Sequence, residues 1–99
     1  SGQPVAVPAL TPRTPDQALL DAGIRPSLKV SALAEQGITA DAPVEATVAL
    51  VDLVSPGRET EYWLGFENFY VITRYNRSSF YAMAVFQLAE AVKARRALR

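Results

Sequence analysis

The sequence predicts an α+β fold: a small antiparallel β-rich unit with short helices, followed by a C-terminal α-helix. Three observations carry this. Residues 46–54 (ATVALVDLV) are rich in β-branched side chains and face residues 59–64 (ETEYWL) across Ser55-Pro56-Gly57-Arg58, which reads as a hairpin. Two short helical stretches each end at a glycine, Gly23 and Gly37. Tyr81, Ala84, Val85, Leu88 and Val92 fall at steps of three and four, giving residues 80–97 one apolar face.

In chain order, residues 3–9 (QPVAVPA) read as extended. Pro4 and Pro8 cannot donate to a ladder, which predicts an edge strand. Thr14-Pro15-Asp16 opens a helical turn, with Thr14 as N-cap and Pro15 at the first helical position. Leu19 and Leu20 then point inward, and Gly23 is the stop. Leu28-Lys29-Val30 is a short strand candidate. Ser31 is expected to cap residues 32–36, and Gly37 to end them. In the hairpin turn, Pro56 suits the first corner and Gly57 the second. Residues 69–73 (FYVIT) fit a strand or a buried helix equally well. Ser78 or Ser79 is then expected to cap the last helix.

The chain has 99 residues, 49% of them apolar and 20% charged, which is the composition of one modest globular core. Ten basic residues balance ten acidic ones, so no general affinity for polyanions or membrane surfaces follows, and no nucleic-acid partner is expected. Cysteine and histidine are absent. That excludes disulfides, thiolate nucleophiles, imidazole catalysis and Cys- or His-ligated metals, so no metal or cofactor is expected. Acid–base chemistry would fall to Asp, Glu, Tyr or Lys. No apolar run is long enough to span a bilayer. With no initiator Met and no leader-like segment, a processed or partial chain is expected.

The charge balance hides an asymmetry. Residues 1–70 carry four basic against nine acidic groups, and residues 71–99 carry six basic against Glu90 alone. All nine aromatic residues lie between Tyr62 and Phe86. Two territories meeting near Tyr62 are therefore expected, 1–64 and 65–99. Lys93, Arg95, Arg96 and Arg99 complement the dipole at the end of the last helix. Glu59 and Glu61 share a strand face, the kind of carboxylate pair that glycosidases use, but acidic residues just after a Pro-Gly turn usually face water. Glu67 is read as structural, pinned by Arg74 or Arg77. Aromatic rings bury area and also stack on sugars and other flat ligands. Tyr75 differs from the other aromatics: it stands between Arg74 and Asn76 in a polar segment, which suits a hydroxyl held at a cleft beside an amide that both donates and accepts.

At these residues the sequence resembles the lytic murein transglycosylase B family. The resemblance rests on Asn68-Phe-Tyr-Val-Ile-Thr-Arg-Tyr-Asn-Arg-Ser78 and on Tyr81-Ala-Met-Ala-Val85, which follow the family's C-terminal signature without a gap. Tyr62-Trp63-x-Gly65 and the stretch Val30-Ser-x-Leu-Ala-x-x-Gly-Ile-Thr39 fit more loosely. The similarity covers most of this chain but only the final third or less of a family member.

The resemblance implies a peptidoglycan glycan strand as substrate and cleavage of the MurNAc–GlcNAc β-1,4 bond without water, leaving 1,6-anhydro ends. It implies the periplasm of a Gram-negative envelope, with outer-membrane tethering in some members. It also implies a lysozyme-like catalytic lobe with one Glu as acid and base, and a small β-rich domain inserted before the signature. Residues 1–64 would be most of that β-rich domain, and 65–99 a strip of the lobe with its closing helix. By position, Tyr75, Asn76 and Tyr81 match cleft residues. The family's catalytic Glu lies far N-terminal to this segment. Glu59-Thr60-Glu61-Tyr62 echoes its context but lacks the glycine after the aromatic, so the chain alone is expected to be inactive. A non-catalytic glycan-binding or scaffolding module is the alternative. Cut from the rest of the lobe, the aromatic strip is expected to self-associate, to swap, or to be disordered over residues 66–80.

Overall fold

The computed structural model describes residues 4–75 and 94–95. Five strands form one antiparallel sheet in the order β2-β4-β5-β1-β3. The strands are β1 (Ala6–Leu10), β2 (Leu28–Lys29), β3 (Thr39–Ala40), β4 (Thr47–Leu53) and β5 (Glu61–Gly65). The helices are α1 (Gln17–Asp21), α2 (Val30–Glu35) and α3 (Glu67–Tyr75).

The hairpin forms as its residues dictate. β4 and β5 pair from Ala49↔Gly65 to Leu53↔Glu61. The turn closes with Arg58 N donating to Ser55 O at 3.2 Å, and Gly57 takes φ +72°, the left-handed corner that glycine adopts without a Cβ penalty. The strands start or stop one or two residues from the expected limits, and Glu59 lies outside β5, exposed. It therefore does not share a strand with Glu61.

Because side chains alternate along a strand, the three central strands present two apolar faces. Val48, Leu50, Leu64, Val7 and Ala9 point to one face, where Val30 and Leu33 of α2, Leu19 and Leu20 of α1, and Ile38 cover them. Trp63, Val51, Leu53 and Ala6 point to the other, where Phe69 and Ile72 of α3 cover them. A strand covered on both faces needs apolar residues at every position, which explains why the run ATVALVDLV alternates only in part.

Three local expectations are corrected. First, β1 lies inside the sheet, between β5 and β3. The proline argument holds only locally, because β3 pairs with Ala9 and Leu10 alone and no described strand flanks Pro8 on that side. Second, α1 begins at Gln17 after Asp16, with no side-chain cap. Pro15 is buried rather than helical, and Thr14 lies before the helix. Third, Val30 starts α2 instead of ending a strand, and Ser31 sits inside the first turn. The N–H groups of Val30 and Ser31 reach Ala46 O at 3.0 Å and Val44 O at 3.1 Å, so the chain leading into β4 satisfies the donors a side-chain cap would have taken. Of the two alternatives for residues 69–73, strand or helix, the helix forms, within α3. Residues 76–80 lie outside the described residues.

The glycine stops form as expected. Gly23 N donates to Leu20 O at 3.1 Å. At the end of α2, Gly37 takes φ +84° and donates to Ala34 O at 2.9 Å, while Ile38 N donates to Leu33 O at 3.0 Å. This is a Schellman closure, with Ile38 and Leu33 both buried in the same cluster.

Candidate functional site

Of the segment that the sequence singles out, the described part is α3. Its start is set by Phe66, whose carbonyl accepts from Phe69 N at 3.0 Å and Tyr70 N at 3.3 Å. Glu67 in the first turn and Arg74 in the last match the helix dipole. Phe69, Ile72 and Thr73 face inward, while Glu67, Val71 and Arg74 are exposed.

A close approach holds the helix to the sheet. A Cβ at Gly65 would lie 3.1 Å from Phe69 Cδ2 and 3.4 Å from Val51 Cγ2, so the Phe69 ring occupies space that only glycine leaves open. Phe66 packs on one face of the sheet and Phe69 on the other, so the chain straddles the end of β5. Trp63 beneath is 1% exposed, and its indole N–H finds no acceptor among the described residues. Leaving that donor buried costs about 1–3 kcal/mol, which the large apolar area of the ring must outweigh. Thr73 is also buried, but its hydroxyl is satisfied, donating within the helix to Phe69 O and Tyr70 O, both at 3.0 Å. Such back-bonding lets a polar residue sit on the buried face of a helix.

Arg74 does not pair with Glu67. Its Nη1 donates to Tyr70 Oη at 3.2 Å, and its guanidinium lies 5.9 Å from the Tyr70 ring centroid. An exposed contact of this kind orients the side chain more than it stabilises the fold. Glu67, Tyr70, Val71 and Arg74 line a shallow hollow of about 400 Å³ on the outer side of α3.

Of the three expected cleft residues, Tyr75 is the last residue of α3, two positions beyond the anchored Thr73. Asn76 and Tyr81 lie outside the described residues. So does the expected helix over 80–97, apart from Ala94 and Arg95, which are helical. Glu61 opens β5 opposite Leu53. No cluster of three or more potential metal ligands occurs among the described residues. The sequence reading missed Gly65 as the seat of Phe69. The signal was the Trp63-x-Gly65 pattern with a ring four residues on.

An antiparallel sheet followed by a helix that ends in Arg74-Tyr75 matches a known class of protein. A model of the Transglycosylase SLT domain family matches residues 1–90, and the chain belongs to that family. Within it the chain is of the lytic murein transglycosylase B kind. It is 42% identical over 74 residues to the membrane-bound lytic murein transglycosylase B of Escherichia coli (strain K12), covering 71% of this chain and 20% of that protein. Its fold is similar to the catenated lytic transglycosylase SltB1 from Pseudomonas aeruginosa, with a TM-score of 0.69 and 35% identity over 96% of this chain and 32% of that one. The Escherichia coli lytic transglycosylase Slt35 in complex with bulgecin A superposes with a TM-score of 0.60 and 39% identity, over 97% of this chain and 30% of that one. The chain thus spans about a fifth of the curated relative and under a third of each of these structures.

Proposed function

We propose that this chain is the C-terminal portion of a peptidoglycan lytic transglycosylase of the cell envelope, working in the periplasm. The observation that carries the reading is the family match over residues 1–90, together with the signature helix α3 seated on the sheet. In the intact enzyme the muramyl 6-hydroxyl attacks C1 of the same sugar as the C1–O4 bond breaks. One Glu takes the hydroxyl proton and supplies one to the departing O4, so the product is a 1,6-anhydro end and no water is consumed. A single carboxyl group can do both because it returns to its starting state.

That Glu belongs to the part of the enzyme N-terminal to these residues, so the chain alone is inactive. Residues 1–64 form most of a small β-rich domain, and residues 65–99 a strip of the lysozyme-like lobe. Tyr75, Asn76 and Tyr81 line the cleft there. Hydroxyl and amide groups of this kind orient N-acetyl sugars and hydrogen-bond a working carboxylate, which tunes its pKa. The sheet's contribution is positional: Gly65 and Trp63 fix the helix that delivers Tyr75.

The test is a digest of purified sacculi, read by mass spectrometry for 1,6-anhydro muropeptides. The intact enzyme is expected to release them and this chain alone to release none. Release by the chain alone would overturn the inactive reading and make Glu59, Glu61 and Glu67 the residues to change to Gln. Failure of the intact enzyme to release anhydro ends would overturn the reaction itself.

A further inference from the structure

Thr73 is the one buried residue with a side-chain hydroxyl among the described residues, 3% exposed. That hydroxyl does not tie α3 to the sheet. Among the described residues its bonds run to Phe69 O and Tyr70 O, both at 3.0 Å and both within the helix. Packing alone would favour valine, which has the same shape and buries more apolar surface. The hydroxyl therefore acts on the helix itself.

In an α-helix the carbonyls of residues 69 and 70 also accept from the N–H groups of residues 73 and 74. Those bonds hold the last turn, which ends at Tyr75. A threonine that donates back to such carbonyls shares them with the backbone and bends the helix there. On the exposed side of the same turn, Arg74 Nη1 donates to Tyr70 Oη at 3.2 Å. Water competes for that contact and not for the buried one, so the hydroxyl decides the course of the turn. We propose that Thr73 is a positioning residue for the cleavage reaction: its hydroxyl sets the direction in which the backbone leaves α3, and so where Tyr75 is held. This rests on the peptidoglycan reading above. Thr73 is buried and acts through Tyr75, not on the sugar. A displacement of about 1 Å can slow a reaction about a hundredfold, so a small bend is enough.

The experiment pairs two variants of the intact enzyme. Thr73→Val keeps the shape and loses the hydroxyl. Its release of 1,6-anhydro muropeptides at saturating glycan is expected to fall about tenfold or more, with the melting temperature held within about 4 °C. Thr73→Ser keeps the hydroxyl and loses the methyl group. It is expected to recover most of the rate while melting lower. A packing role demands the opposite order, with serine the slower enzyme. An unchanged rate in Thr73→Val, or rates that follow melting temperature across the two variants, would overturn the proposal. Should the valine variant fail to fold, Thr73→Ala against Thr73→Ser isolates the hydroxyl, since both lack the methyl group, and equal rates would overturn it. Residual dipolar couplings of the α3 amides, measured on the full chain, give a readout without activity. The N–H vectors of residues 74 and 75 are expected to turn against those of residues 67–72 in Thr73→Val and to stay in Thr73→Ser. No turn would sink the proposal even if the parent enzyme is active. A turn, beside an intact parent enzyme that releases no anhydro ends, would sink the cleavage reading and leave the bend in the helix standing.

Discussion

The two faces of the sheet are built on opposite plans. One face is sealed by helices that come from within the strand unit itself: α1 and α2 close over Val48, Leu50 and Leu64, and Ile38 completes the cover. On the other face Ala49, Trp63 and Phe69 are buried, and its described cover comes from α3, which follows the last strand. The first is redundant, with eight buried residues sharing the load. Among the described residues, the second turns on one close approach, in which one ring rests on one glycine. The face that α3 covers is the one that carries Arg74 and Tyr75. A fold can be robust as a whole and still concentrate the seating of one helix in a few atoms.

Three substitutions sharpen this contrast, the largest first. Trp63→Ala removes the floor under α3 and is expected to cost about 3–5 kcal/mol by urea denaturation. Hydrogen exchange should show amide protection lost first in α3. Leu50→Ala on the opposite face should instead lower protection across all three central strands. Equal loss everywhere in both variants would mean that the two faces are not separable. Next, Gly65→Ala places a methyl group 3.1 Å from the Phe69 ring and should cost about 1–3 kcal/mol. The double variant with Phe69→Leu should recover part of that, because the two sites are in contact, and simple additivity would rule out that contact as the cause. Smallest is Gly37→Ala on the redundant face. Its φ of +84° penalises any Cβ by about 1–2 kcal/mol, although no atom crowds the position. Melting temperature should fall while α3 keeps its protection relative to the rest.

What could be read from the sequence depended on how local the cause was. The β4–β5 hairpin was legible because Pro56 and Gly57 dictate their turn by backbone geometry alone. Gly37 was legible for the same reason. Ser31 misled because a good capping residue does nothing when distant carbonyls, those of Ala46 and Val44, already take the donors. β1 misled because proline forbids a partner only where its missing N–H would point, and β3 begins one residue further on. Residues 69–73 were ambiguous because a short apolar run does not record its period, and the contact with Gly65 decides for helix. Tyr75 was singled out by its polar neighbours and by the family signature, and its position at the end of α3 was not visible in either.

The sheet order puts the first long strand beside the last. Just outside that pair, Phe66 N donates to Val5 O at 3.0 Å. The polypeptide therefore comes into the sheet and goes out of it through the same doorway. A unit closed in this way can hang from a larger body without prising its strands apart, because the gap it asks of its host is one hydrogen bond wide. By the same geometry, a short loop joining residue 4 directly to residue 67 would bridge the opening. The host chain would then continue as though the sheet had never been there.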